Sequence, residues 1–162
     1  MPIDPKVRAS AGALFAALAL ALTLAACGSQ ASSVLPGSGP LVTVTIHGGL
    51  CAAVPCDQSV ILDPDGHVHA GVKPPNDLGQ VPANVMAMLT AAIARTDFAA
   101  LRSHPFTGQC PVAVDGQELI FEFEVGGATQ RIASCDVDID WGNPLFVALA
   151  AALSQWVPMP LT

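Results

Sequence analysis

The chain has 162 residues, of which 52% are hydrophobic, and it carries a formal net charge of −7 at pH 7. This length accommodates one compact domain once an N-terminal segment has been removed. Thirteen acidic residues against six lysines and arginines argue against nucleic acid as a partner. The same balance argues against a polybasic membrane-binding patch, so attachment to a membrane requires something other than basic side chains.

The N-terminal segment has the order of a bacterial export signal. Lys6 and Arg8 form a short basic region, and the fifteen residues 12–26 then contain no charged side chain. Such a run suits the apolar core of a signal peptide and falls short of the about 20 residues that a membrane-spanning helix needs. It ends in Leu24-Ala25-Ala26-Cys27, which resembles the lipobox of bacterial lipoproteins.

The lipobox resemblance implies a location outside the cytoplasm. In lipoproteins the cysteine thiol receives diacylglycerol and the preceding segment is removed, so residues 1–26 are expected to be a signal peptide and Cys27 the lipid anchor. Two acyl chains, at about 0.8 kcal/mol per buried methylene, hold a protein stably in a bilayer. The implied location is the extracytoplasmic face of the cell membrane. The mature chain as a whole resembles small lipoproteins of high-GC Gram-positive bacteria, a likeness that brings no activity with it.

Beyond the lipobox the composition predicts a tether followed by one domain. Residues 27–40 are rich in Gly, Ser and Pro, which predicts a flexible tether. Residues 41–162 are predicted to form a single α+β domain. The predicted order of elements is β-β-β-α-β-β-α, with two main helices packed on an antiparallel sheet of about five strands.

The first half of this domain predicts three strands. Residues 42–46 alternate between apolar and polar side chains, which is typical of a half-buried strand. Residues 58–62 and 67–72 are predicted to form a hairpin. They flank Asp63-Pro64-Asp65-Gly66, in which Pro and Gly occupy the positions that a tight turn requires.

A helix is predicted after this hairpin. Residues 73–81 contain two prolines and are predicted to be a loop. Pro82 then opens a helix, and Thr96-Asp97 is predicted to cap a second short turn. Apolar residues at helical spacing predict the buried stripe of the first helix, which consists of Val85, Met88, Leu89, Ala92 and Ile93.

The second half predicts a hairpin and a final helix. Leu119, Phe121, Phe123 and Val125 fall on one face of a predicted strand, and Glu118, Glu122 and Glu124 fall on the other. With Gly126-Gly127 as the turn, Phe121 pairs with Ile132, and Glu122 pairs with Arg131 as an exposed ion pair. Asn143-Pro144 supplies an N-cap and a first-turn proline for a helix that ends near Trp156.

Four cysteines remain when Cys27 carries lipid, and an even number in an exported chain predicts two disulfides. Three connectivities are open. We favour Cys51–Cys56 and Cys110–Cys135, because each pair brackets a segment that is expected to fold back on itself. Neither pair has the CxxC spacing that is typical of zinc ligands.

Two groups of residues resemble metal sites. His67 and His69 lie on one face of a predicted strand, with Asp63 opposite His67 in the predicted register. These three residues are either a zinc or copper site or an ordinary solvated strand face beside a polar turn. Residues 136–140 have the Asp-x-Asp-x-Asp opening of a calcium loop, but Trp141 and Val147 occupy its required Gly and Glu positions. We therefore expect no metal and no cofactor.

No catalytic motif is present in the sequence. There is no GxSxG, HExxH, SxxK or Gly-rich phosphate loop. We therefore expect a non-enzymatic binding or structural domain, with a protein partner left open. Residues 141–162 contain no ionisable side chain, which indicates either a buried lid over the sheet or an exposed apolar interface.

One further resemblance offers an alternative function. Cys110-Pro111-Val112-Ala113 is followed by Asp115, a hairpin, Cys135 and Phe146, an order similar to the C-terminal half of subtilisin-inhibitor-like proteins. The resemblance implies a secreted protease inhibitor in which Val112 presents the inhibitory bond. The preceding half of the domain, with its predicted Cys51–Cys56 loop, departs from that family.

Overall fold

A computed structural model of the chain describes residues 39–49 and 56–159. Within these ranges the fold is α+β, with six strands in one antiparallel sheet of order β4-β3-β2-β1-β5-β6. The strands are β1 (Val42–Gly48), β2 (Asp57–Leu62), β3 (His67–Ala70), β4 (Asn76–Gln80), β5 (Gln117–Val125) and β6 (Ala128–Ala133). The helices are α1 (Ala83–Arg95), α2 (Phe98–Arg102) and α3 (Pro144–Leu153), and a 3-10 turn spans Pro111–Val114. The predicted class is confirmed, with one strand more than expected.

Strand β1 lies near the middle of the sheet, between β2 and β5, and its buried side chains form part of the core. Val44 is paired with Val60 of β2 on one side and with Phe121 of β5 on the other. All three side chains are buried, because alternation sends the apolar residues of each strand to the same face. The helices cover that face. In α3, the Phe146 ring lies 5.4 Å from the ring of Phe121, centroid to centroid.

The β5–β6 hairpin has the predicted register. Phe121 is opposite Ile132 and Glu122 is opposite Arg131. The predicted ion pair between Glu122 and Arg131 is wrong, because the Arg131 guanidinium lies 2.8 Å from a carboxylate oxygen of Asp136. The backbone turns back after β6, with the Asp136 N–H donating to the Ala133 carbonyl, and this turn brings the closer carboxylate to Arg131.

The additional strand, β4, falls within residues 73–81, which were predicted to be a loop. It pairs with β3 through an irregular register that shifts between Val68 and His69. Gly79 adopts a φ of 138°, and the Val81 N–H donates to the Gly66 carbonyl as the chain leaves the strand. A short edge strand after two prolines lacks the alternation that marks a half-buried strand, so the sequence did not reveal it.

Helix α1 buries most of the predicted stripe, with Val85 partly buried against the core and Met88 as the exception. Met86, Leu89, Ala92 and Ile93 are buried, whereas Met88 is 58% exposed. The prediction for Met88 is therefore wrong, and Met86 takes its place in the core. None of the helices in the described ranges is long and apolar enough to span a bilayer.

The helix ends follow the predicted chemistry. The Asn143 side chain accepts a hydrogen bond from the Leu145 N–H at 3.0 Å, and Pro144 occupies the first turn of α3. Asp97 caps α2 by accepting from the Ala99 and Ala100 N–H groups. Short polar side chains are favoured here because the first N–H groups of a helix have no partner within it.

The Cys110–Cys135 disulfide is present, with a Cα–Cα distance of 5.2 Å. It is the one bridge that lies wholly between described residues. The predicted Cys51–Cys56 bridge involves Cys51, which lies outside them, so this pairing stays a prediction. The predicted signal peptide, Cys27 and most of the predicted tether also lie outside the described residues.

Candidate functional site

A groove of about 820 Å³ lies where the C-terminal end of α1, helix α2 and the start of α3 meet. Its apolar lining consists of Ala92, Ala100, Leu101, Ile139 and Pro144. Polar side chains complete the lining, and they are Arg95, Thr96, Asp97, His104, Asp138, Asp140 and Asn143.

Backbone pairing brings the two halves of this groove together. Pro105 and Val137 form an isolated antiparallel bridge. Beside it, the Asp138 N–H donates to the His104 carbonyl at 2.8 Å, and the Phe106 N–H donates to the Asp136 carbonyl at 3.0 Å. The segment after α2 is thereby fixed against the segment that leads into α3.

The polar side chains of the groove divide into two groups. Asp97, Asp140 and Asn143 accept hydrogen bonds from backbone N–H groups of their own turns, and the Thr96 hydroxyl donates to the Ala92 carbonyl, so the role of these four is structural. The side chains of Arg95, His104 and Asp138 make no hydrogen bond or ion pair within the described part of the chain. These three exposed groups are free to contact a ligand. We call Arg95, His104 and Asp138 the groove triad.

The sheet face opposite the helices is a second exposed surface. We call it the open face. Its side chains are polar or half-buried, and it includes Thr43, Thr45, His47, Asp57, Ser59, Ile61, His69, Glu118, Ile120, Glu122, Glu124, Thr129 and Arg131. Six of these side chains form hydrogen-bonded pairs with one another. His47 is hydrogen-bonded to Asp57, Thr45 is hydrogen-bonded to Ser59, and the Glu124 carboxylate accepts from the Thr129 hydroxyl. The open face is therefore acidic and internally hydrogen-bonded.

The predicted histidine pair does not form a metal shell with Asp63. The Asp63 carboxylate lies 3.4 Å from Nδ1 of His69, while His67 is exposed and its backbone N–H donates to Asp65. Within the described ranges, one group of three or more metal-ligating residues brings its ligand atoms within 4.8 Å of one another, and it consists of Cys110, Glu118 and Cys135. Both sulfurs of that group belong to the disulfide.

The three aspartates of the calcium-like motif have separate contacts. Asp136 pairs with Arg131, Asp138 lines the groove, and Asp140 accepts from the Gly142 N–H at 2.9 Å. They therefore do not converge on one centre.

The segment around Val112 is compact. Pro111–Val114 forms a 3-10 turn, and Asp115 ends it with a φ of 61°. Val112 is half-buried, and a Cβ at Gly48 would lie 3.1 Å from its methyl groups. A substrate-like inhibitor requires an exposed, extended segment, so this geometry does not favour the inhibitory role that the resemblance gave to Val112.

Within residues 141–159, the uncharged C-terminal segment mainly covers the sheet. Leu145, Phe146, Leu149 and Leu153 are each at most 1% exposed and belong to the core. Val147, on the other side of α3, is 49% exposed.

Comparisons of the chain with protein families, with curated proteins and with solved structures found no match. Sequence reasoning missed the groove triad, since no spacing connects Arg95 with His104 and Asp138.

Proposed function

We propose that this chain is a cell-envelope lipoprotein, held on the extracytoplasmic face of the membrane by lipid on Cys27. The lipobox that follows fifteen uncharged residues is the observation that carries this proposal. The Cys110–Cys135 disulfide supports it independently, because disulfides persist in oxidising compartments outside the cytoplasm.

The folded domain acts by binding rather than by catalysis. In the described ranges the buried side chains of the core are all hydrophobic, with no polar or charged residue among them. Enzymes commonly hold a titratable group in a desolvated site where its reactivity is tuned. The titratable side chains of the groove triad are all exposed and so lack such a desolvated environment, which supports a binding or structural role.

The groove is the binding site that the geometry favours. Leu101 and Ile139 offer apolar contact area, while the groove triad supplies an acceptor, a fixed cation and an imidazole. Sites of this kind bind ligands by burying apolar surface and use a few polar groups to fix orientation. A peptide segment with one apolar side chain between polar neighbours suits this lining.

Replacement of Cys27 by alanine tests the anchor. The variant is expected to be released from membranes or to remain as unprocessed precursor, and to lose incorporation of labelled palmitate. Ser29→Ala, two positions along, is the matched control and should be processed and retained as wild type. A processed Cys27→Ala protein that stays in the membrane fraction would overturn the proposal.

Filling the groove tests the binding site. Ala100 and Ala99 are both exposed on α2, but only Ala100 lines the groove. Ala100→Trp is expected to reduce crosslinking to a partner in intact cells about tenfold, which corresponds to ~1.4 kcal/mol of binding free energy. Ala99→Trp should leave the same crosslinked product unchanged, as quantified by mass spectrometry. Equal effects of the two variants would place the binding site elsewhere.

A further inference from the structure

Charge is distributed unevenly between the two sides of the domain. Helices α1 and α3 contain one charged residue between them, Arg95, which lies at the groove end of α1. The open face, by contrast, carries Asp57 and the three glutamates of β5. The exposed surfaces of the two long helices thus carry a single charge, and the carboxylates on this side of the domain (Asp97, Asp138 and Asp140) line the groove at the helix ends, whereas the open face is acidic.

The helices present an apolar outer surface. We call it the helical face. Met88 is 58% exposed and Val147 is 49% exposed, and most of their exposed neighbours are alanines. The helical face consists of Asn84, Ala87, Met88, Ala91, Ala94, Val147 and Ala151. It contains no carboxylate.

The chain enters the domain at the end of the sheet where α1 begins. The Leu41 N–H donates to the Leu62 carbonyl, directly before the turn at residues 63–66. The Gly66 carbonyl in turn accepts from the Val81 N–H, two residues before α1. The first described residue, Gly39, follows Cys27 by twelve positions, which limits their separation to about 40 Å. A lipid on Cys27 therefore keeps the domain within reach of the bilayer.

We propose that, in the lipid-anchored protein, the helical face lies against the bilayer surface and the open face points away from it. This inference rests on the proposed lipid anchor. Anionic headgroups repel carboxylates, so the open face is disfavoured at a surface that contains them. Transfer of the apolar Met88 and Val147 side chains from water to the bilayer interface lowers the free energy.

Because of the lipid anchor, a weak contact between the helical face and the bilayer is sufficient to orient the domain. The apolar area of the helical face is small, and a free domain would bind vesicles poorly. A short connection raises the effective concentration of bilayer surface around the domain, because docking becomes an intramolecular step. The arrangement leaves the open face directed toward the surroundings of the cell.

Photocrosslinking in vesicles tests this orientation. Full-length lipidated protein, purified from membranes, is reconstituted into vesicles of phosphatidylcholine and phosphatidylglycerol. Benzoylphenylalanine replaces Ala87 or Ala151 on the helical face, or Thr129 on the open face as the matched control. Crosslinking to lipid is expected to be about tenfold greater from the helical face, the ratio that an orientational preference of ~1.4 kcal/mol produces.

Flotation of the same vesicles separates the two proposals. If the wild-type protein floats but Thr129 labels lipid as strongly as Ala87 and Ala151, the orientation is wrong and the anchor stands. Crosslinks from Ala87 or Ala151 to a second copy of the chain would overturn the orientation in favour of self-association. Protein that does not float would overturn the anchor, and the orientation with it.

Discussion

Replacement of Phe121 by alanine is expected to lower the free energy of unfolding by about 3–5 kcal/mol. The side chain is fully buried, and it pairs with Val44 across one strand boundary and with Ile132 across the other. Its ring contacts three other aromatic rings, with centroid distances of 6.4 Å to Phe123, 6.2 Å to Trp141 and 5.4 Å to Phe146. Truncation removes these contacts and leaves a cavity that a rigid sheet cannot close.

Arg131→Ala on the same hairpin is the matched control. Arg131 pairs with Asp136, but their side chains are 48% and 65% exposed. Exposed ion pairs contribute little, so we expect a loss below about 1 kcal/mol. Urea denaturation of both variants measures the difference. Equal losses would mean that Phe121 is not the centre of the core, and a larger loss for Arg131 would contradict the register of β5 and β6.

The hairpin was predictable because three independent signals agree there. Alternation assigns Phe121 to the buried face, Gly126-Gly127 fixes the turn, and both glycines adopt positive φ in the structure. A slip of one residue would turn Leu119, Phe121 and Phe123 to the solvent side and three glutamates to the core side. The sequence was therefore enough to predict the backbone register. It was not enough to predict that Arg131 forms its ion pair with Asp136 rather than with Glu122. The ion pair depends on how the chain turns after β6.

The buried side of α1 was less predictable because small apolar residues surround the helix. Alanines occupy positions 83, 87, 91, 92 and 94, so several rotations of α1 bury a similar apolar stripe. Which methionine enters the core is decided by packing against the turn at residues 63–66. A Cβ on Gly66 would lie 3.3 Å from the Met86 side chain. The Met86 side chain therefore lies close to this turn, where the absence of a Cβ at position 66 leaves room for it.

The groove was out of reach of sequence patterns for a different reason. Arg95 is on α1, His104 follows α2, and Asp138 precedes α3, so their proximity arises from tertiary structure alone. The Pro105–Val137 bridge joins two segments without the alternation of a strand. The export signal, by contrast, is local in sequence and needs no fold to be recognised.

Removal of the Cys110–Cys135 disulfide is the second change with a large expected effect. The bridge joins residues that are 25 positions apart and encloses the whole β5–β6 hairpin. In the chain-entropy model a loop of this size reduces the freedom of the unfolded chain by about 3.5 kcal/mol. We expect the Cys110→Ala, Cys135→Ala double variant to lose that amount of unfolding free energy in urea denaturation.

Ser134→Ala is the local control for this variant. The Ser134 hydroxyl accepts a hydrogen bond from the Leu119 N–H at 3.0 Å, one residue from Cys135, and its loss is expected to cost about 1 kcal/mol. A double variant that loses no more than Ser134→Ala would contradict the entropic account, because the bridge would then add little beyond local contacts. The stability that the disulfide is expected to contribute also bears on the cell compartment in which the domain can stay folded. With a total stability of about 5–15 kcal/mol typical of small domains, a domain that depends this strongly on a disulfide is suited to an oxidising compartment, as the proposed export requires.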